Sequence, residues 1–455
     1  MIRVYRHFVA TNTLIFTAIE LCIVFILFHL VVRLVGPPTD SLTSPTALSV
    51  LLVLTTALSG VAAGFYQRAI NYSGTWLLSA AVTTGLALAL GGLVVLAFAA
   101  LSSANGIVIG QLEIALPVIC PICFLATRWA AVAATSRGLF MRPVLLIGAG
   151  RKAAEIEAFA AKSGSTIKIV RRLSTDGGDA SMSALAPELS AAYLKAEGIG
   201  EAVIAADEPR GLPMGLLFQW KVSGIAVTDY QTFWEREAGF IAVSDFDPAW
   251  FVYADGCRRG WTGRVIKRVL DIVLGVALLV ATAPLFCLCA LLIYLETPGG
   301  VFYRQERSGR YGIPFDLIKF RSMRNDAEPG TPQWASQNDP RVTRIGKYIR
   351  STRIDELPQL INVIRGDMSL VGPRPERPFF VDQLSQNISH YADRHYVRPG
   401  LTGWAQINYP YGATVEDARQ KLSYDFYYIK NQSILLDLFI LLSTVRVVLF
   451  REGAR

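Results

Sequence analysis

Residues 353–375 read RIDELPQLINVIRGDMSLVGPRP. Two carboxylates, Asp355 and Glu356, stand side by side ahead of an apolar run. Beyond it Gly366 and Gly372 bracket DMSLV, and Pro373 and Pro375 hold Arg374 in a near-fixed backbone. Ile354, Leu357, Leu360, Ile361 and Ile364 recur at helical spacing. The spacing predicts one short amphipathic helix, with both acids in its opening and Pro358 in its first turn, where no N–H is needed. A helix N-terminus favours carboxylates and phosphates alike. The plainer reading of the acids is a helix cap with an ion pair to Arg353. The chemical reading adds Arg374, whose planar fork pairs bidentately with phosphate oxygens. One carboxylate would attack or activate, and the other would hold a divalent cation that neutralises phosphoryl oxygens.

More cations precede this run. Residues 298–328, PGGVFYRQERSGRYGIPFDLIKFRSMRNDAE, alternate glycines with Arg304, Arg307, Arg310, Lys319 and Arg321. Residues 301–380 hold fourteen Arg or Lys against nine Asp or Glu. Cationic turns are usually solvated surface, but these follow directly on an apolar segment, which points to phosphate groups at a bilayer surface. The net charge of +8 has no basic tail and no aromatic–basic stripe behind it, so nucleic acid is not expected as a partner. Six cysteines are scattered, and a lone C-x-x-C at Cys120 and Cys123 lies in an apolar segment, where packing explains it better than zinc or redox chemistry.

The elements that must position these residues begin in the membrane. Of the 455 residues, 52% are hydrophobic and only 18% charged. Apolar segments at roughly 13–35, 46–65, 76–100 and 108–127 are each about long enough to cross a ~30 Å hydrocarbon core. Arg3 and Arg6 before the first, Arg68 after the second, and Arg128, Arg137 and Arg142 after the fourth put both ends of this unit in the cytoplasm. PVLLIGAG at 143–150 then runs into a G-x-G-x-x-A turn, followed by strand-like stretches at 167–170, 202–206 and 224–228. This alternation predicts a small Rossmann-like α/β domain with a parallel sheet. Its second strand ends in Arg171-Arg172, not in the acid a dinucleotide ribose would need, so a structural or regulatory module is expected. Residues 271–294 suit a fifth span in length, yet both flanks are basic and Pro284 interrupts it. A re-entrant helix that bends at Pro284 satisfies both facts, with Thr282 placed to serve the freed carbonyl. Residues 434–450 carry Asp437 and Arg446 and read as an amphipathic interfacial helix.

The chain resembles the polyprenyl-phosphate sugar-phosphate transferases, bacterial membrane enzymes with one re-entrant helix. The residues that carry this are KR..D at 267–271, PGGVFYRQERSGRYG, FDLIKFRSM, DELPQLINVIRGDMSLVGPRP and VRPGLTGWAQIN. Four amino-terminal spans and a nucleotide-fold middle domain are similar to the long members. The carboxy-terminal stretch looks like the branch that initiates exopolysaccharide repeats in exosortase-associated gene systems. The resemblance implies a three-part fold: an integral membrane α-helical bundle over 1–135, the Rossmann-like domain over 141–250, and a mostly helical catalytic domain over 264–455 with its re-entrant membrane helix at 268–294.

It also implies the chemistry. A UDP-sugar, UDP-glucose or UDP-galactose being expected, would give its sugar 1-phosphate to undecaprenyl phosphate and release UMP. Asp355 would be the nucleophile and Glu356 the Mg2+ ligand. Arg374 and Arg350 would grip phosphate oxygens, at the cytoplasmic face of the bacterial inner membrane among its lipids, and the cationic-turn residues Arg304, Lys319 and Arg321 are read from the sequence as phosphate-binding beside them. Where the family places Ser before the helix-breaking proline, this chain has Ala283-Pro284. A homodimer is expected. Two other classes remain: a membrane-bound processive glycosyltransferase, which would release UDP, and an NAD-linked membrane oxidoreductase using the GAG turn.

Overall fold

The computed structural model describes residues 2–4, 7–9, 11–35, 45–62, parts of 85–134, 137–162, 165–174, 189–208, 212–246, 248–253, 256–257, 260–296, 299–324, 341–410, 412 and 414–449. The chain divides into two compact units with the boundary between Ala238 and Gly239.

In the first unit, α1 (Thr11–Val35) contains a window, Thr13–Val31, with mean hydropathy 2.6, long and apolar enough to cross a membrane. It packs on α2 (Pro45–Ala62), and Val24, Phe28, Leu48 and Leu52 are buried there. A shorter apolar helix spans Ile122–Ala131, and its buried Thr127 donates a 2.9 Å hydrogen bond to Glu20 of α1. This shields the one carboxylate on that apolar helix. The third expected segment, 76–100, and most of the fourth lie largely outside the described residues.

The expected parallel sheet is present. Strands β1 (Arg142–Ile147), β2 (Ile167–Leu173), β3 (Glu201–Ile204) and β4 (Ala226–Asp229) pair in the order β2-β1-β3-β4, all parallel. Val144 to Ile147 are buried without alternation, as a strand covered on both faces requires. The turn after β1 leads into α3 (Arg151–Ala160). At Gly148, with φ +142°, a Cβ would fall 2.4 Å from the Ala205 carbonyl carbon, so only glycine lets β1 and β3 approach there. The N–H groups of Arg151 and Lys152 donate to the Asp207 carboxylate at 2.9 and 3.2 Å. The anion at this helix N-terminus is therefore the chain's own Asp207, in the place where a dinucleotide's phosphates would sit.

The second unit starts earlier than the expected boundary at 250. Residues 239–253 bury Ile241 and Val243 against Phe380, Tyr391 and Phe426, so this apolar stretch belongs to the core of the later unit. It ends in α4 (Pro248–Tyr253). Next come α5 (Trp261–Ala281) and α6 (Ala283–Glu296), bent by 62° at a one-residue break. Pro284 sits in the first turn of α6, where its missing N–H is harmless. The Thr282 hydroxyl donates to the Leu278 carbonyl at 2.7 Å, and a backbone N–H of the cap supplies Val280. Thr282 thus serves the turn before the one expected, because its side chain folds back on its own helix. Val269, Val273, Val276, Val280, Leu288, Leu291 and Leu295 are all exposed. A bent pair that turns its polar residues to the domain and exposes an apolar face suits a lipid environment.

After the pair, β5 (Phe302–Ser308) and β6 (Pro314–Phe320) form an antiparallel hairpin. It is followed by α7 (Arg344–Ser351), a 3-10 turn at Ile354–Glu356, and α8 (Gln359–Arg365). Then β7 (Ser369–Val371) and β8 (Gly400–Thr402) pair in parallel, with α9 (Pro378–Asn387) between them. The last helices are α10 (Trp404–Asn408), α11 (Val415–Asn431) and α12 (Ile434–Leu449). Leu360, Val363, Leu370, Trp404, Tyr427 and Ile440 join one core.

Two local expectations change. The run 354–364 is not one helix: Asp355 and Glu356 occupy the separate 3-10 turn, and Pro358 lies at the start of α8. Arg353, with φ 59° and ψ 13°, turns the chain in the left-handed region just before the acids. And α12 has its polarity reversed: Asp437 and Arg446 are buried, whereas Leu435, Leu438, Val445 and Val448 are exposed. The charges face the domain because Asp437 takes Lys267 at 3.1 Å and the Tyr428 hydroxyl at 2.7 Å.

Candidate active site

Four elements of the second unit place the chemistry. The 3-10 turn carries Asp355 and Glu356, β6 carries Lys319, the segment after β7 carries Arg374, and the left-handed Arg353 precedes the acids. Both acids are buried, each with 8% of its surface exposed. Oε1 of Glu356 is approached by Nη2 of Arg374 at 2.8 Å, Nζ of Lys319 at 3.4 Å and Nη1 of Arg353 at 3.5 Å. Asp355 has no hydrogen-bond or ion-pair partner among the described residues.

This asymmetry separates the two carboxylates. Burial raises Asp355 above its ordinary value of 3.8; Lys319 and the more distant Arg350 and Arg353 oppose this, while the Glu356 charge adds to it. Burial acts the same way on Glu356, but Arg374, Lys319 and Arg353 outweigh it and hold that carboxyl well below the usual range. Lys319 is itself pulled down by burial and pulled up by Glu356 and Asp355. Neighbouring carboxylates are therefore split into a firmly ionised anchor and a poorly compensated anion.

Local structure fixes each member. Asn362 of α8, fully buried, donates to the Asp316 carbonyl at 2.8 Å and accepts from the N–H of Ile318 at 3.0 Å. It thus locks β6, and Lys319 with it, to the helix that follows the acids. The Arg268 guanidinium of α5 donates at 2.6 Å to the carbonyls of Val363 and Ile364, completing the C-terminus of α8. Asp271, one helical turn on, accepts from Ser369 Oγ and the Leu370 N–H, both at 3.1 Å. The KR..D motif therefore ties the bent helix pair to α8 and β7, the two elements that follow the acidic turn.

Arg374 is aimed by backbone contacts. Gly372 donates to Thr402 at 2.9 Å and Gly400 to Pro373 at 2.8 Å. A Cβ on Gly372 would come within 2.4 Å of the Arg398 carbonyl, so this close crossing of β7 and β8 requires glycine. Arg394, paired with Asp425 at 2.7 Å, donates to the Arg374 carbonyl at 3.1 Å.

Of the cations expected at the site, Lys319 and Arg374 meet Glu356, and Arg350 lies close enough to influence Asp355. Arg321 is buried just past β6. Arg304 does not join them: in the hairpin it pairs with Ile318, on the face opposite Lys319, and is exposed. Arg307 has the favoured side, on the Lys319 face, and donates to the Pro375 carbonyl at 3.2 Å, next to Arg374. Strand alternation counted from Lys319 through the hairpin would have chosen it. Asn362 left no signal in the sequence, since an asparagine inside an apolar helix reads equally as surface.

Among the described residues no three His, Cys, Asp or Glu side chains converge as a metal cage. Asp355 and the second oxygen of Glu356 still fit a hard cation of the Mg2+ kind, which commonly takes one or two carboxylates and fills its shell with water and substrate phosphates.

The site is a cluster of cations around two unequal acids, on a domain that carries a bent, largely apolar helix pair. The comparison with known proteins is specific. The bacterial sugar transferase family matches residues 262–451. A UDP-N-acetylgalactosamine-undecaprenyl-phosphate N-acetylgalactosaminephosphotransferase of Aeromonas hydrophila is 50% identical over 190 residues, 42% of this chain and 45% of that protein. A UDP-glucose:undecaprenyl-phosphate glucose-1-phosphate transferase of Caulobacter vibrioides is 46% identical over 190 residues, 41% of this chain and 71% of that protein. One of the same description from Escherichia coli is 44% identical over 184 residues, 40% of each chain. The chain thus spans less than half the length of the Aeromonas and Escherichia relatives. It belongs to the bacterial sugar transferase family.

Proposed function

We propose that the protein transfers a sugar 1-phosphate from a UDP-sugar to undecaprenyl phosphate, releasing UMP, as the first membrane-bound step of an exopolysaccharide repeat unit. The observation that carries this reading is the split acid pair: an unpartnered buried Asp355 beside a Glu356 that gathers three cations. The relatives' names support the donor and acceptor classes. They name different sugars, N-acetylgalactosamine and glucose, at 50% and 46% identity, so identity alone does not select the sugar.

In the first half-reaction an oxygen of Asp355 attacks the sugar-linked phosphorus, the bond to the bridging oxygen breaks, and UMP departs with that electron pair. Arg374 and Lys319 turn from Glu356 toward the phosphoryl oxygens, where charge builds. Asp355 is suited to attack because no described side chain hydrogen-bonds or ion-pairs with it; its burial makes it a reluctant, reactive anion. In the second half-reaction an oxygen of the lipid phosphate attacks the same phosphorus and Asp355 leaves, giving undecaprenyl diphosphosugar. One phosphoanhydride replaces another, so no ATP is consumed. Glu356, through its free oxygen, would hold Mg2+, which when bound would neutralise diphosphate charge.

The membrane setting is part of the reading. The pair α5–α6 enters the cytoplasmic leaflet and returns to the same side, and the 62° bend and the exposed apolar faces support it. The outward leucines and valines of α12 lie against the same leaflet.

Purified protein incubated with undecaprenyl phosphate and a panel of UDP-sugars is expected to release UMP and form a lipid-linked phosphosugar in equal amounts. Release of UDP with a glycosidic product would replace this reading with a glycosyltransferase.

A further inference from the structure

Oε1 of Glu356 serves Arg374, Lys319 and Arg353 at once, at 2.8, 3.4 and 3.5 Å. A divalent cation resting on this carboxylate would share it with three positive groups in a buried setting, where like charges repel strongly. The same groups are what a diphosphate would draw: two planar forks and a point charge. Counting Asp355 and Glu356 against Lys319, Arg353 and Arg374 leaves one positive charge in excess, so the cluster calls for an anion before it accepts another cation.

Arg353 is the least expected member. It holds a left-handed backbone, φ 59°, which non-glycine residues rarely adopt, and its carbonyl accepts from the Glu356 N–H at 3.2 Å. Strain of this kind persists where the surroundings over-determine it, and here it directs a guanidinium back onto the acid three residues later.

We propose that Glu356 changes partners during turnover: in the free protein it is the counter-ion that stations Arg374, Lys319 and Arg353, and a nucleotide diphosphate releases it to a divalent cation by taking those three groups. Arg353 is then a positioning residue that keeps metal affinity low until nucleotide arrives. Metal and nucleotide bind with reciprocal coupling, each raising the affinity for the other. This rests on the UDP-sugar reading above and adds an order of events to it.

The test uses the full chain in lipid nanodiscs, with Mn2+ as the metal probe and the free-ion EPR signal as readout. Without nucleotide the wild type is expected to bind Mn2+ weakly. Arg353→Gly, which suits the left-handed backbone, and Lys319→Met, which keeps the buried stem, should each bind about tenfold more tightly by removing one repulsive charge. Adding Glu356→Gln to either variant should abolish the gain. UDP should tighten Mn2+ binding to the wild type beyond that seen with Glu356→Gln protein, which controls for Mn2+ held by UDP itself. Two results would overturn the partner exchange: wild type binding one Mn2+ without nucleotide as tightly as both variants, or no added tightening by UDP. UMP release from UDP-sugars by the same wild-type preparation is read separately. Its absence with every sugar rejects the transferase reading whatever the manganese result, and its presence with variant-independent Mn2+ affinity rejects the exchange alone.

Discussion

Nη2 of Arg374 lies 2.8 Å from Oε1 of Glu356, across eighteen residues of chain. That contact joins the two halves of the motif: the acid turn before α8 and the proline-pinned arginine after β7. It makes Glu356 a structural anion as well as a chemical one, and leaves its neighbour Asp355 with the unpaid desolvation.

The two acids should therefore respond oppositely to neutralisation. Asp355→Asn removes a buried charge without a partner and should stabilise the fold by about 1 kcal/mol at neutral pH. Glu356→Gln strands three cations and should cost about 2–4 kcal/mol. The pH dependence follows with opposite signs. Because the folded-state value of Asp355 is raised above 3.8, the native state holds that proton longer than the unfolded state, and stability falls as pH rises from 3.8 through the folded value. Glu356, held below its ordinary 4.5, adds stability that is present above 4.5 and lost as pH falls through its folded value. Thermal melts of the wild type and both variants from pH 2 to 8 check this; shifts of the same sign would refute the division of roles.

UMP release should also fail on the acid side. If Asp355 is the attacking group, as proposed, it must be ionised, so the acid limb of kcat/KM should lie above 3.8, in the direction burial sets. A limb at or below that value would mean another group attacks.

Arg268 provides a test of how the bent helix pair governs the acid turn. Its two 2.6 Å bonds to Val363 and Ile364 are charge-assisted, and Arg268→Gln should cost about 2–3 kcal/mol in stability. Turnover should drop further than folding does, since α8 starts three residues after Glu356. Melting temperature and UMP release measured on the same sample separate the two; Arg268→Lys, which cannot reach both carbonyls with a fork, should recover only part of either.

Much of this site was legible in the sequence, and the reasons for the rest are particular. Asp355, Glu356 and Arg374 stood out because adjacent acids and a proline-locked arginine have few structural uses. The bend was readable from Pro284 and two basic flanks. Arg304 lies on the hairpin face away from Lys319, and Arg307 on the same face as Lys319; a count of cations carries no face, whereas strand register does. The single helix expected over 354–364 split because apolar periodicity does not reveal a left-handed Arg353, whose guanidinium reaches back to Glu356 three residues on. For the same reason α12 read as an ordinary amphipathic helix: a pattern shows that charges share a side, and only the partners Lys267 and Tyr428 show that the side faces inward.

Gly372→Ala should separate the two requirements of Arg374. The added Cβ would sit 2.4 Å from the Arg398 carbonyl and 2.9 Å from the Gly400 nitrogen, so β7 and β8 must part. Residue 372 has no positive φ, so the penalty is crowding and not backbone strain. A loss of about 1–3 kcal/mol is expected, with KM for the sugar nucleotide rising as Arg374 loses its aim. An unchanged KM alongside reduced stability would show that Arg374 finds its place without the crossing.

The last prediction concerns the side of the membrane reached by the two ends of the bent pair. Arg264 near the start of α5 and Arg304 on β5 are both exposed and lie on opposite sides of the 62° bend in sequence. If the pair returns to the leaflet it entered, cysteines placed singly at these positions, in a chain cleared of its six native cysteines, should behave alike. Neither should react with an impermeant thiol reagent on intact spheroplasts, and both should react after lysis. A straight crossing would place Arg304 outside and make that position alone reactive before lysis. Replacing Pro284 with Leu restores a helical N–H and removes the ring that interrupts the turn, so a continuous helix becomes competitive. That variant should shift part of the Arg304 label to the outer face if proline is what holds the bend. Unchanged protection would mean that the basic flanks and the anchors of Arg268 and Asp271 on α8 and β7 suffice to hold both ends on one side.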